Sequence, residues 1–249
     1  MIRKLSPAER LIVALDFPSE AEALSMARSL LSEVKFFKVG LQLFVASGPS
    51  VVGRIREAGA NVFLDLKFHD IPNTVKGAVS CAARLGAGII SLHLSAGREG
   101  LIAAVEGLGE ASESSGERPL LAGVTVLTSV SGERPLLAGR EDESVLDRVL
   151  RLSKLAQECG VDGIITSTLE AAEVRKALGE KCVIITPGIR LSQPQAGQAD
   201  DQKRIGTARE ALEAGSDYLV VGRPITRARD PLIEARRFLD EIASFDSVK

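Results

Sequence analysis

The stretch V-F-L-D-L-K-F-H-D-I-P-N-T-V-K, residues 62–76, changes its repeat part-way along. Its first half alternates: Phe63, Asp65 and Lys67 fall on one side and Val62, Leu64 and Leu66 on the other, the two-residue period of a strand. Beyond Asp-Ile-Pro the apolar spacing turns helical, and a helix pattern runs from Thr74 to Leu85. A strand feeding a helix is half of a β/α unit. At the junction stand Asp65, Lys67 and Asp70, two carboxylates and an ammonium where a strand leaves its sheet.

The same alternation recurs in both directions. Strand candidates lie at 11–16, 35–40, 61–67, 88–93, 121–126, 161–166, 182–186 and 217–222, with helical patterns such as Glu20 to Leu31, Asp142 to Cys159 and Thr207 to Ala214 between them. Several helix-to-strand returns share one formula: E-A-G-A-N, R-L-G-A-G-I, Q-E-C-G-V-D-G and L-E-A-G-S-D-Y. The glycine there stops a helix, because it accepts a left-handed backbone at little cost. Eight such units in 249 residues fit an α/β fold, a single (β/α)8 TIM barrel occupying residues 1–249 as one domain. The rival is an open doubly wound sheet, which is expected to carry G-x-G-x-x-G after its first strand; L-D-F-P-S-E stands there instead. Two polar stretches, 112–119 and 190–202, read as surface loops. The second follows the seventh strand, at the end of a barrel where sites form, and reads as a lid.

Composition narrows the function. A formal net charge of -2 provides no broad basic surface for nucleic acid or an anionic membrane. No apolar run approaches the roughly 20 residues needed to span a bilayer, and the start lacks the apolar core of a secretory signal. Cys81, Cys159 and Cys182 are odd in number and far apart, so they read as buried reduced thiols in a cytoplasmic protein.

Ionisable and hydroxyl residues gather at the C-terminal ends of the strands: Asp16, Lys38, Asp65 with Lys67, His93, and Thr125 with Thr128. Asp16 also suits a turn cap, Lys38 a snorkelling side chain, and His93 an interior histidine bonded within the core. A purely structural Asp65–Lys67 pair is a poor source of stability, since both charges must be desolvated. Asp16, Asp65 and Asp70 form a weaker metal-ligand set, because lysines stand beside them and no H-E-x-x-H spacing is present. A second cluster follows the seventh and eighth strands, where I-T-P-G-I-R and V-V-G-R-P-I-T bring Gly188, Arg190, Gly222 and Arg223 to the usual phosphate position of the barrel.

L-D-F-P (15–18), F-K-V-G (37–40), F-L-D-L-K-F-H-D-I-P-N-T-V (63–75), T-V-L-T-S (125–129), T-P-G-I-R (186–190) and V-G-R-P-I-T (221–226) occur in one order along the chain. Together they resemble the orotidine 5'-phosphate decarboxylase family over nearly its whole length. That resemblance implies a homodimer of barrels that converts orotidine 5'-phosphate to UMP and carbon dioxide with no metal or organic cofactor, in the last step of pyrimidine nucleotide synthesis. By motif, Asp16 and Lys38 resemble the ribose contacts, and Lys38, Asp65, Lys67 and Asp70 the catalytic charged array. Asp70, with Ile71 and Thr74, is implied to cross into the partner's site. Thr128 resembles the residue that reads the pyrimidine edge, and Arg190, Gln202, Gly222 and Arg223 the phosphate grip. Gln193, Gln195 and Gln198 share the loop with Gln202, and Pro224 stands where the family often has serine.

Losing carbon dioxide from C6 of orotate leaves an in-plane electron pair that the ring cannot absorb, so nearby positive charge must stabilise it. Lys67 is the expected source of that charge and of the proton that follows, with Asp65 and Asp70 fixing its ammonium. Two rivals remain at this point: a magnesium-dependent sugar-phosphate decarboxylase resembling the 3-keto-L-gulonate 6-phosphate enzymes, and a nucleotide-binding barrel without catalysis.

Overall fold

The computed structural model describes residues 5–130, 143–192 and 204–247, apart from the side chain of Ser115. Eight parallel strands close on themselves: β1 (Leu11–Ala14), β2 (Phe36–Gly40), β3 (Asn61–Phe68), β4 (Ile89–His93), β5 (Leu120–Val124), β6 (Gly163–Ile165) and β7 (Val183–Pro187), with β10 (Tyr218–Val221) pairing both β7 and β1. Between β7 and β10 a two-residue ladder joins β8 (Ile189–Arg190) to β9 (Gly206–Thr207). The expected (β/α)8 barrel is the observed architecture.

Strand alternation sorts the core into two layers. Ile12, Phe36, Phe63, Ile89, Ile185 and Tyr218 pack inside the barrel, with the Phe36 and Tyr218 rings edge to face at 6.0 Å. Their neighbours Val13, Phe37, Leu64, Ile90, Ile184 and Leu219 pack outward under the helices. Such short strands, apolar on both faces, are stable because the surrounding helices cover them.

Helix starts follow local chemistry. Ser19, Ser144 and Ser167 each accept a backbone N–H at the head of a helix, while Thr207 and Glu210 form a reciprocal capping box. Pro72 opens the helix Pro72–Arg84 two residues before the expected start, where its missing N–H removes no helical bond. The pattern expected from Asp142 is observed as Val145–Glu158, and residue 142 itself lies outside the described residues.

Two expectations are corrected. The helix Gly97–Ser115 runs into the stretch read as the loop 112–119. Ser112 and Ser114 donate their hydroxyls back to Leu108 O and Glu110 O, 2.7 and 3.1 Å away, so their polar groups are satisfied inside the helix, which continues until Gly116, at φ 73°, ends it. The three cysteines are free, but only Cys159 and Cys182 are buried. Cys81 is exposed because it falls on the outer face of Pro72–Arg84 while Val75, Val79 and Ala82 face the core. Among the described residues no helix is long and apolar enough to cross a membrane.

Candidate active site

Every barrel strand ends toward one mouth, and a cavity of about 690 Å³ opens there. Asp16, Lys38, Asp65 and Lys67 form one wall, from β1 to β3. Val124, Val126 and Ile165 form an apolar wall, and Gly188, Arg190, Gly222 and Arg223 line the part fed by β7 and β10. Thr128 lines the same cavity. Two clusters far apart in sequence thus share one chamber, adjoining where β1 meets β10 and separated by the apolar surface on the β5–β6 side.

The charged wall is a row of alternating sign. Asp16 Oδ1 lies 2.9 Å from Lys38 Nζ, Lys38 Nζ 3.6 Å from Asp65 Oδ2, and Asp65 Oδ2 2.8 Å from Lys67 Nζ. Burial pushes the Asp65 carboxyl up, but Lys38 and Lys67, with hydrogen bonds from Lys67 and Ser91, outweigh it and hold the group below its ordinary value. Burial likewise pushes the Lys38 ammonium down, and Asp65 and Asp16 more than reverse this. Both groups therefore stay charged at neutral pH. Gly40 makes room for the row: a Cβ there would stand 2.9 Å from Lys38 Nζ and 3.1 Å from Asp16 Oδ1.

Lys67 departs from the extended strand that its alternation with Asp65 implies. Between the pairs Leu64↔Ile90 and Phe68↔Leu92, β3 advances four residues while β4 advances two, so Asp65, Leu66 and Lys67 arch out of the ladder. Lys67 adopts φ 52°, left-handed and costly for a residue with a Cβ. Its side chain nevertheless returns to Asp65. The bulge aims both groups into the cavity.

At the other end Arg190 sits on β8, after a bend at Gly188 with φ 80°. Its Nη1 donates to Ile189 O at 2.8 Å. Arg223 begins a single helical turn, Arg223–Thr226, and Pro224 occupies its start, where no intrahelical N–H bond is lost. A Cβ at Gly222 would meet nothing closer than Ala14 Cβ at 3.5 Å, so the glycine leaves open space for a ligand and is not forced by its neighbours.

This geometry coincides with a family match. The model described as "Orotidine 5'-phosphate decarboxylase / HUMPS family" matches residues 9–238. The chain belongs to this family. It is 45% identical over 234 residues to the orotidine 5'-phosphate decarboxylase of Nitratidesulfovibrio vulgaris strain Hildenborough, covering 94% of this chain and 97% of that one. It is 45% identical over 242 residues to that of Dictyoglomus thermophilum, covering 97% of each. The crystal structure of orotidine 5'-phosphate decarboxylase from Lactobacillus acidophilus superposes with a TM-score of 0.80 at 34% identity, over 93% of this chain and 97% of the other. An uncharacterized conserved protein from Geobacillus kaustophilus gives 0.79 at 38% identity, over 93% and 99%. By this kinship the chain is an enzyme of the carboxy-lyase class.

Among the residues expected from the orotidine 5'-phosphate decarboxylase motifs, Asp16, Lys38, Asp65, Lys67, Thr128, Arg190, Gly222 and Arg223 line the cavity. Asp70, Ile71 and Thr74 do not line it; all three are exposed outside the mouth, Ile71 at 68%. The Asp70 carboxylate accepts the Ile71 N–H and, within this chain, makes no contact with Lys67. Gln202, like Gln193, Gln195 and Gln198, lies outside the described residues. Thr125 is turned away: its buried hydroxyl donates to Ile165 O at 3.0 Å and fastens β5 to β6. His93 stacks on His69 with centroids 5.3 Å apart, and burial, then His69, Arg148 and Lys67, hold its pKa down. Among the described residues no group of three His, Cys, Asp or Glu side chains is gathered to hold a metal ion.

Sequence reasoning missed Ser91, Arg204, Glu170 and Arg227. Ser91 is wholly buried; its hydroxyl accepts the Lys67 N–H at 2.8 Å and donates to Asp65 Oδ1 at 2.9 Å. Arg204 and Glu170 are an ion pair at the end of β6, both buried, with Ser167 Oγ 2.5 Å from Glu170 Oε2. Arg227 lines the cavity one turn after Arg223 and was legible as a second cation there.

Proposed function

We propose that the protein converts orotidine 5'-phosphate to UMP and carbon dioxide, using side chains in place of a metal or organic cofactor, in the last step of pyrimidine nucleotide synthesis. The observation that carries the reading is the Lys67 ammonium, 2.8 Å from a buried Asp65 carboxylate, in the same cavity as Arg190 and Arg223. A ligand with a phosphate at one end and a reacting carboxylate at the other matches that separation of charges. Asp16 and Lys38 are suited to bond ribose hydroxyls, Thr128 to read the pyrimidine edge, and Arg190, Gln202, Gly222 and Arg223 to grip phosphate.

As the C6–carboxylate bond breaks, its electron pair stays on C6 and carbon dioxide leaves. The Lys67 ammonium, fixed by Asp65, attracts that developing charge and donates a proton to C6, and water then restores the proton to its amine. Asp65 contributes in the ground state as well: a substrate carboxylate about 4 Å away is repelled by roughly 4 kcal/mol at an effective dielectric of about 20, relieved on departure. The phosphate grip supplies binding energy remote from C6 that aligns the ring.

We infer a single-domain barrel working as a cytoplasmic homodimer, with no nucleic-acid or membrane partner. Support for the dimer comes from Asp70, Ile71 and Thr74, exposed outside their own cavity on the segment that leads from the charged wall. In that assembly Asp70 reaches the partner's Lys67 and completes the array.

The deciding experiment follows the absorbance loss of orotidine 5'-phosphate after exhaustive chelation. Lys67→Ala is expected to lower kcat by about 10⁴-fold or more while the affinity for UMP stays within about tenfold. Turnover within about tenfold of wild type would remove Lys67 from the assigned role.

A further inference from the structure

We propose that Ser91, on β4, is a positioning residue for the charged row: its hydroxyl stands in for a missing ladder acceptor, holding Lys67 in its left-handed backbone and Asp65 turned toward both lysines. The inference rests on the decarboxylase reading above. Its basis is the bulge in β3. Over the two-residue advance of β4 from Ile90 to Leu92, β3 uses four, so the regular exchange of backbone bonds between the strands is interrupted beside Ser91. A buried N–H at such a gap must find another acceptor. Ser91 Oγ supplies one to Lys67 N at 2.8 Å, and its own proton goes to Asp65 Oδ1 at 2.9 Å. The hydroxyl thus bonds the backbone of one charged residue and the side chain of the other. The remaining Asp65 oxygen, Oδ2, is the atom that meets Lys67 Nζ at 2.8 Å and Lys38 Nζ at 3.6 Å.

Burial alone does not demand this arrangement. Ser80 and Ser153 are also buried, and among the described residues their hydroxyls have no hydrogen-bond partner. Ser91 differs in facing the barrel interior at the level of the cavity, where it joins the strained residue to the carboxylate that orients both ammoniums. Without it, Asp65 Oδ1 loses its donor and the carboxylate is held through Oδ2 alone, and the Lys67 backbone loses the bond that closes the arch. The folded barrel does not depend on either event, because the β3–β4 ladder is intact below at Phe63↔Ile89 and Leu64↔Ile90.

Ser91→Ala and Ser91→Cys are compared with Ser216→Ala, a matched control whose buried hydroxyl meets Thr186 Oγ1 at 2.6 Å outside the cavity lining. Turnover of orotidine 5'-phosphate, UMP affinity and the thermal midpoint are measured for each. Both Ser91 variants are expected to lose about 100-fold in kcat, the scale of an ångström-level misplacement of a reacting group. UMP affinity is expected to stay within about threefold, and the midpoint to fall no further than in the control. Ser91→Cys fills the site with a slightly larger γ atom that donates and accepts hydrogen bonds only weakly, and carries the test if Ser91→Ala does not fold. A folded Ser91 variant with kcat within about threefold of wild type would overturn the inference, as would loss of UMP affinity in step with kcat. Wild-type protein inert toward orotidine 5'-phosphate would overturn the decarboxylase reading and the inference together; an active wild type with indifferent Ser91 variants would overturn the inference alone.

Discussion

At the scale of single residues, the site depends on where side chains are missing as well as on where they are present. Gly40 has φ -94° and ψ -179°, a backbone that alanine adopts without strain, so its glycine is not required by conformation. What it provides is space beside Lys38 Nζ and Asp16 Oδ1. Gly40→Ala is therefore expected to fold normally, since the atom that must yield is the end of a flexible chain, with stability within about 1 kcal/mol of wild type. The displaced ammonium can no longer sit 2.9 Å from Asp16 and 3.6 Å from Asp65, and kcat/KM for orotidine 5'-phosphate is expected to drop about 100-fold. Kinetics paired with a thermal melt check this; an unchanged kcat/KM in the folded variant would mean that the row tolerates the shift. The members of the row were legible in the sequence because each falls at a strand end with the parity of its strand. Gly40 was legible only as a residue facing the same side as Lys38; its role as space was not, because a void leaves no mark in a linear pattern.

At the scale of elements, the segments around the Arg190 end of the cavity are tied by a contact between distant parts of the chain. Glu170, in the helix Thr168–Leu178 after β6, pairs with Arg204, just before β9, and both are buried. Thr168 packs where Gly206 has no side chain: a Cβ on Gly206 would lie 2.4 Å from Thr168 Oγ1. Since β9 pairs with β8, this clamp also fixes the strand that carries Arg190. Removing one partner leaves a buried charge uncompensated, so Glu170→Ala is expected to cost about 3–5 kcal/mol in urea unfolding, whereas Glu170→Met with Arg204→Met together recovers most of it. A single-variant cost below about 1 kcal/mol would show that the pair is not a clamp. The strands and most helices were legible from periodicity and caps, but this pairing was not. The partners are 34 residues apart, each sits in an unremarkable polar context, and only the pairing of β6 with β7 brings their connections together. The β3 bulge escaped notice for a related reason: D-L-K alternates as a regular strand would, and the extra residues are defined only against β4.

At the scale of the whole molecule, the eight-unit rhythm was enough to give the closed barrel, and barrel closure in turn brings residues at 16, 38, 65, 67, 190 and 223 to one cavity. What a single chain leaves outside that cavity is Asp70 with Ile71 and Thr74. Mixing Lys67→Ala subunits with Asp70→Ala subunits, each inactive alone, is expected to restore about one quarter of wild-type activity: random exchange makes half the dimers mixed, and each mixed dimer holds one site with both residues intact. No recovery, with subunit exchange verified by mass, would place Asp70 in its own chain's chemistry or outside the chemistry altogether. The molecule's formal net charge of -2 conveys nothing of the interior arrangement. Asp16, Lys38, Asp65 and Lys67 sum to zero, yet their order gives the wall a polarity, negative at the Asp16 end and positive at the Lys67 end. A polar molecule inside the cavity therefore meets opposite fields at the two ends of this wall, so the row and the arginines that share the cavity, not the total charge, set the electrostatic landscape it encounters.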